Sequence, residues 1–165
     1  MKWCGWVKPL PDPLSQIFKI YAGRAGKVRE TQTGASIMIF RYTILYVQDV
    51  KATLDFFNAA FGLKTAFLHE SGDYGELDTG QTKLAVSSIE LMQQLGKSPA
   101  TEPVTNPSFE IAFETDDVAA ALAKAVQAGA EQVQEVQEMP WGQTTAYVRL
   151  PEGILVEICT AVQAP

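Results

Sequence analysis

Glu157 interrupts an otherwise apolar stretch, Ile154 to Cys159, whose β-forming composition predicts a strand. A carboxylate in that setting is costly unless it faces water, a partner or a ligand. A second carboxylate, Glu110, sits near the start of a similar stretch, Phe109 to Thr115. Period-two alternation sets Ile154, Val156 and Ile158 on one face and Glu157 on the other. It likewise separates Ile111 and Phe113 from Glu110, Ala112 and Glu114. The same rule turns Tyr42, Ile44, Tyr46, Lys83, Ala85, Ser87, Tyr147 and Arg149 toward the face that carries the two carboxylates. Tyr74 and Glu76 join them opposite Leu77, and Trp141 stands at the rim. Aromatic surface for affinity beside a few charged groups for orientation is the make-up of a small-molecule site. Three roles are open to Glu110 and Glu157. They form a general acid/base pair in which one raises the pKa of the other, or counter-charges for a cationic ligand, or water-exposed residues paired to Arg149 or Lys83.

Other chemistries have less to stand on. The single histidine, His69, closes a strand beside a turn and reads as a solvated surface residue. Ser87-Ser88 has neither elbow glycines nor a histidine nearby in sequence, and no phosphate-binding glycine loop occurs. Asp49 and Asp117 read as helix caps, and Phe56, Phe57 and Phe61 as helix core. Two cysteines, Cys4 and Cys159, are too few for a disulfide framework or a thiolate cluster. With no apolar run of membrane-spanning length and no continuous apolar region at the start, the expected location is the cytoplasm. Residues 1–37 carry six basic and two acidic side chains, a net of +4 against −6 for the whole chain, which leaves −10 on the rest. An acidic body repels nucleic acid and anionic membranes and attracts cations.

The elements that hold these residues recur. Ile39 to Val47 alternates as a strand. Asp49 then caps a helix bearing Val50, Leu54, Phe57 and Phe61 on one face, which Gly62 ends. Strands follow at Leu63 to His69, Tyr74 to Asp78 and Lys83 to Ser88, then a short helix from Ile89 to Leu95. After a linker, Gly96 to Pro107, come a strand from Phe109 to Thr115 and a helix capped by Asp117 and ended by Gly129. Strands at Ala130 to Glu138, Tyr147 to Leu150 and Ile154 to Cys159 complete the chain, the last two joined by the turn Pro151-Glu152-Gly153. Asp49/Asp117, Val50/Val118, Ala52/Ala120 and Leu54/Leu122 match at one offset, so the chain is an internal repeat. The expected fold is α+β: two βαβββ repeats, about 39–95 and 108–160, forming a cupped mixed sheet with helices outside. Residues 1–37, broken by Pro9, Pro11, Pro13, Gly23, Gly26 and Gly34, read as an extension that is poorly ordered or loosely docked ahead of a 38–165 domain. Met38 is then a candidate natural start.

On these residues the chain resembles the vicinal-oxygen-chelate superfamily, which includes glyoxalase I, bleomycin-resistance proteins and extradiol dioxygenases. The resemblance is carried by Tyr42 to Val50, by Ile111 to Val118, and by the hairpin with Pro140-Trp141-Gly142 and Pro151 to Ile158. It implies a homodimer and a small organic ligand. Metal-dependent members place His, Gln or Glu at positions that match Tyr42, Ala85, Glu110 and Glu157. Only Glu110 and Glu157 are good ligands here, so a divalent metal, if one binds, would sit on those two. The expected function is metal-independent binding of a cationic or aromatic compound, with Tyr42, Tyr46, Ala85, Glu110, Trp141, Tyr147, Arg149 and Glu157 lining the cup. The alternative is a lyase or isomerase using Glu110 and Glu157, with or without a metal.

Overall fold

The computed structural model describes residues 38–162, and the expectations for residues 1–37 lie outside that range. The chain forms β1 (Tyr42–Val47), α1 (Val50–Phe61), β2 (Thr65–Leu68), β3 (Tyr74–Leu77), β4 (Lys83–Ser88) and a short α2 (Ile89–Gln94). It then repeats the order with β5 (Ile111–Glu114), α3 (Val118–Gln127), β6 (Glu131–Glu138), β7 (Thr144–Arg149) and β8 (Leu155–Cys159). Each half is a four-stranded mixed sheet, β1-β4-β3-β2 and β5-β8-β7-β6, whose first and last strands in sequence are parallel neighbours. The two βαβββ repeats are thus present, as two sheets rather than one.

The helices start and stop by the same chemistry. Asp49 and Asp117 each accept from the backbone N–H three residues on, at 2.9 Å, filling one of the donors a helix start leaves open. Gly62, at φ +72°, closes α1 in a left-handed turn that a side chain would strain.

Each long helix covers the outer face of its own sheet, and the two helices touch, so one core runs through both halves. Phe57 is fully buried in it, and the partly buried Phe61 and Phe113 pack against it, with the Phe61 and Phe113 rings 4.9 Å apart and Phe57 edge-on to Phe113 at 6.4 Å. Alternation therefore works as expected for the core residues Leu45, Val47, Leu84, Val86, Val148, Val156 and Ile158, all buried. Three strands are each three residues shorter than their patterns: β1 begins at Tyr42, with Met38, Ile39 and Phe40 exposed ahead of the sheet, β2 spans only Thr65–Leu68, and β5 spans only Ile111–Glu114.

One helix is not outside. α2, capped by Ser88 accepting from the Leu91 N–H, folds over the inner face of the first sheet and buries Leu91 and Met92 against Tyr74 and Ala85. α2 therefore covers much of the first inner face, and among the described residues no helix covers the second.

Candidate functional site

The open inner face belongs to the second sheet. Strand pairing sets Tyr147 directly opposite Glu157, and Glu157 beside Ala112 on β5. Residues paired in this way share a face, so the three form a row across the middle of the sheet. The first sheet has the corresponding row Ile44, Ala85 and Glu76. There α2 covers Ala85, which is fully buried, and Glu76 is buried with the Tyr74 hydroxyl donating to it at 3.3 Å.

In the open row the Tyr147 hydroxyl donates to Glu157 Oε1 at 3.1 Å. Both residues are half-buried. Burial first, then this hydrogen bond, then the charges of Glu157 and Glu110, push the Tyr147 phenol up to about 12. Tyr147 is thus a donor over the whole physiological range, and it feels both carboxylates. Cys159, two residues past Glu157 and nearly buried, has its thiol pushed up by burial and then by the charges of Glu157 and Glu114. It is a packed side chain, not a reactive thiolate. Among the described residues, neither Glu110 nor Glu157 makes an ion pair.

Arg149 points elsewhere than its strand position suggests. Its Nη1 donates to the carbonyls of Val104 at 3.3 Å and Thr105 at 3.0 Å, and its Nε lies 3.6 Å from Glu131. Tyr46 accepts from Lys97 Nζ at 3.2 Å, and the ammonium stands 5.5 Å from its ring centre. Trp141 is exposed in the β6–β7 turn, where its indole donates to Gln143 at 2.8 Å. Gln143 in turn donates to the Thr160 carbonyl, which places the tryptophan at the far end of β8 from Leu155. Tyr42 is half-buried beside the Tyr74–Ala85 cluster. His69 stands after β2 with its Nδ1 2.8 Å from Ser71 Oγ, while both carboxylates belong to the other half.

A cavity of about 320 Å³ opens between β1 and the start of β8, lined by Ile44 and Tyr46 of β1, Glu152 and Leu155 around the turn into β8, and Val104 and Phe109 of the connection from α2 to β5. Leu155 lies on the same face as Glu157, two residues away. The linker residues carry no motif. Val104 stood out only as a large apolar side chain in a proline-rich connection, and Phe109 was expected to open a strand that in fact begins at Ile111.

A family model for the glyoxalase/bleomycin resistance protein/dioxygenase superfamily matches residues 39–158. The chain belongs to that superfamily. A curated relative, the uncharacterized protein YraH of Bacillus subtilis (strain 168), is 25% identical over 117 residues, 69% of this chain and 91% of that protein. Among solved structures, a glyoxalase-related enzyme from Fulvimarina pelagi superposes with a TM-score of 0.66 at 21% identity, covering 76% of this chain and 89% of the other. A glyoxalase/bleomycin resistance protein/dioxygenase family enzyme from Burkholderia phytofirmans PsJN gives 0.61 at 23% identity, covering 75% and 98%. These structural likenesses speak for the fold alone.

Superfamily membership raises the question of a divalent metal at Tyr42, Ala85, Glu110 and Glu157. Ala85 has no donor atom and lies beneath α2. Two carboxylates and a phenol are a poor match to the three-ligand, histidine-bearing set of a catalytic zinc-type site. Among the described residues no three of His, Cys, Asp and Glu converge as a metal-holding group. The residues present do not fit the metal of the metal-dependent members. Among the described residues, no helix is long and apolar enough to cross a membrane.

Proposed function

We propose that this superfamily member binds a small organic molecule on its inner face without a metal, and that the ligand presents a cationic or aromatic group to Glu157. The Tyr147–Glu157 pair carries this reading. A half-buried carboxylate held by one neutral donor, and making no ion pair among the described residues, keeps its charge available to a guest. The net charge of −6 favours the approach of cations in the same sense. Elemental analysis of purified protein tests the metal-free part, and a stoichiometric divalent metal would overturn it. A thermal-shift screen of cationic and aromatic compounds tests the binding part. A ligand at 100 times its dissociation constant stabilises by about 2.7 kcal/mol, and a broad screen with no hits on folded protein would count against the proposal.

A second reading rests on position: Glu157 pairs across the sheet with Ala112 of β5, and Glu110 stands two residues before Ala112. As a lyase or isomerase, the protein would use the two as acid and base, and Glu110→Gln would remove turnover while leaving ligand affinity nearly intact. The proposed state is a cytoplasmic homodimer, which a mass measurement in solution checks.

A further inference from the structure

Three of the large apolar side chains that stand exposed, Tyr46, Val104 and Phe109, line the same cavity of about 320 Å³. Scattered exposed apolar residues need no explanation, but three converging on one concavity do. Its walls come from both halves, and its roof is the irregular segment 100–109.

That roof is fastened at several points. Gln48 donates to the Thr101 carbonyl at 2.7 Å. Arg149 donates to the carbonyls of Val104 and Thr105. Gly153, at φ +82°, lets the Val104 backbone come so close that an added Cβ would lie 2.5 Å from its nitrogen. Arg149 is held from behind by Glu131 at 3.6 Å. Arginine forms such fans of hydrogen bonds to carbonyl oxygens because its donors are fixed in a plane.

We infer that the cavity is an apolar subsite for the aryl or branched alkyl part of the ligand, roofed by a strap, residues 100–109, that Arg149 latches. This deepens the proposed function and rests on its placing of the ligand cation at Glu157. The volume suits a small organic group and not a peptide helix. Most of its wall is apolar; the one carboxylate among the described lining residues, Glu152, is turned to the Thr53 hydroxyl at 2.9 Å. The proposed function sets the positive group at Glu157, roughly 7 Å along β8 from Leu155, within reach of a ligand whose apolar part fills the cavity. Arg149 touches the strap, and in this proposal it acts through it as a positioning residue.

The probe is phenylpropyltrimethylammonium, with tetramethylammonium as the truncated control, followed by amide chemical shifts in the full chain. The expected result is perturbation at Ile44, Leu155 and the strap together with Glu157, and affinity for the truncated cation at least about ten-fold weaker. Binding that moves Glu157 but leaves Ile44, Leu155 and the strap unmoved overturns the subsite while sparing the proposed function. Loss of all binding to both cations overturns both. Cavity shifts that follow protein concentration without probe would make a second copy the occupant, and probe binding only after removal of residues 1–37 would make that segment the occupant. Either result overturns the inference. The latch is read without ligand, by hydrogen exchange at residues 101–105. Arg149→Met accelerates it and Arg149→Lys partly restores it, and unchanged exchange in a folded Arg149→Met removes Arg149 from the role.

Discussion

Tyr147 and Glu157 face each other across β7 and β8, and the phenol donates to the carboxylate at 3.1 Å. Because the phenol is pushed up to about 12, its proton stays in place through neutral and mildly alkaline pH. The sign of its linkage to folding is fixed. The group is raised in the folded state from a reference value of 10.0, so its contribution is fully present below pH 10 and is lost as pH rises from 10 toward 12. A phenolate absorbance titration should lose one late-titrating tyrosine in Tyr147→Phe relative to wild type, and identical titration curves would refute the pairing.

Gly75 tests how closely α1 lies on the first sheet. A Cβ there would stand 2.6 Å from Leu54 Cδ1 and 3.1 Å from the Phe67 carbonyl. Gly75→Ala should destabilise by about 1–3 kcal/mol in urea unfolding, because the backbone oxygen cannot move aside as a side chain can. A cost near zero would mean that the helix is less tightly seated.

The turn Pro151-Glu152-Gly153 is tied to the first half through Thr53, buried in α1, whose single hydroxyl proton is shared between the Asp49 carbonyl at 2.8 Å and Glu152 Oε1 at 2.9 Å. Thr53→Val keeps the shape and removes the donor. The expected loss is about 1–2 kcal/mol by urea unfolding, with Glu152→Gln costing less because its amide oxygen still accepts. Equal losses in the two variants would argue that charge, rather than the hydrogen bond, holds the turn.

The repeat makes its own prediction. Asp49→Ala and Asp117→Ala each remove one capping bond of the same length, and each should cost about 1 kcal/mol. The double variant should show the sum, since the caps share no partner. A cost at one site only would show that the two halves do not fold by matched means.

The architecture was legible because it is local chemistry repeated. Asp49 and Asp117 announce helices, alternation sorts Val156 and Ile158 from Glu157, and the glycines at 62 and 129 end what the aspartates begin. What could not be read was where the irregular pieces dock. Ile89 to Leu95 was visible as a helix, but nothing within it says that Leu91 and Met92 will pack on Tyr74 and Ala85 and close the first inner face. The apolar character of Ile44, Tyr74 and Ala85, against Glu110, Ala112 and Glu157 in the second half, was the signal that one face needed a cover. Arg149 shows the same limit: strand alternation gives its direction at the backbone, while its partners, Val104 and Thr105, lie in a connection with no period to read.

Metal-independent recognition of a cation at Glu157 is tested most directly by calorimetric titration of phenylpropyltrimethylammonium into chelator-treated protein. Wild type and Glu157→Gln would be run side by side. The predicted result is binding that chelation leaves unchanged and that Glu157→Gln weakens by at least about ten-fold, or 1.4 kcal/mol. Binding that disappears with the chelator, or that is equally tight in Glu157→Gln, would contradict it.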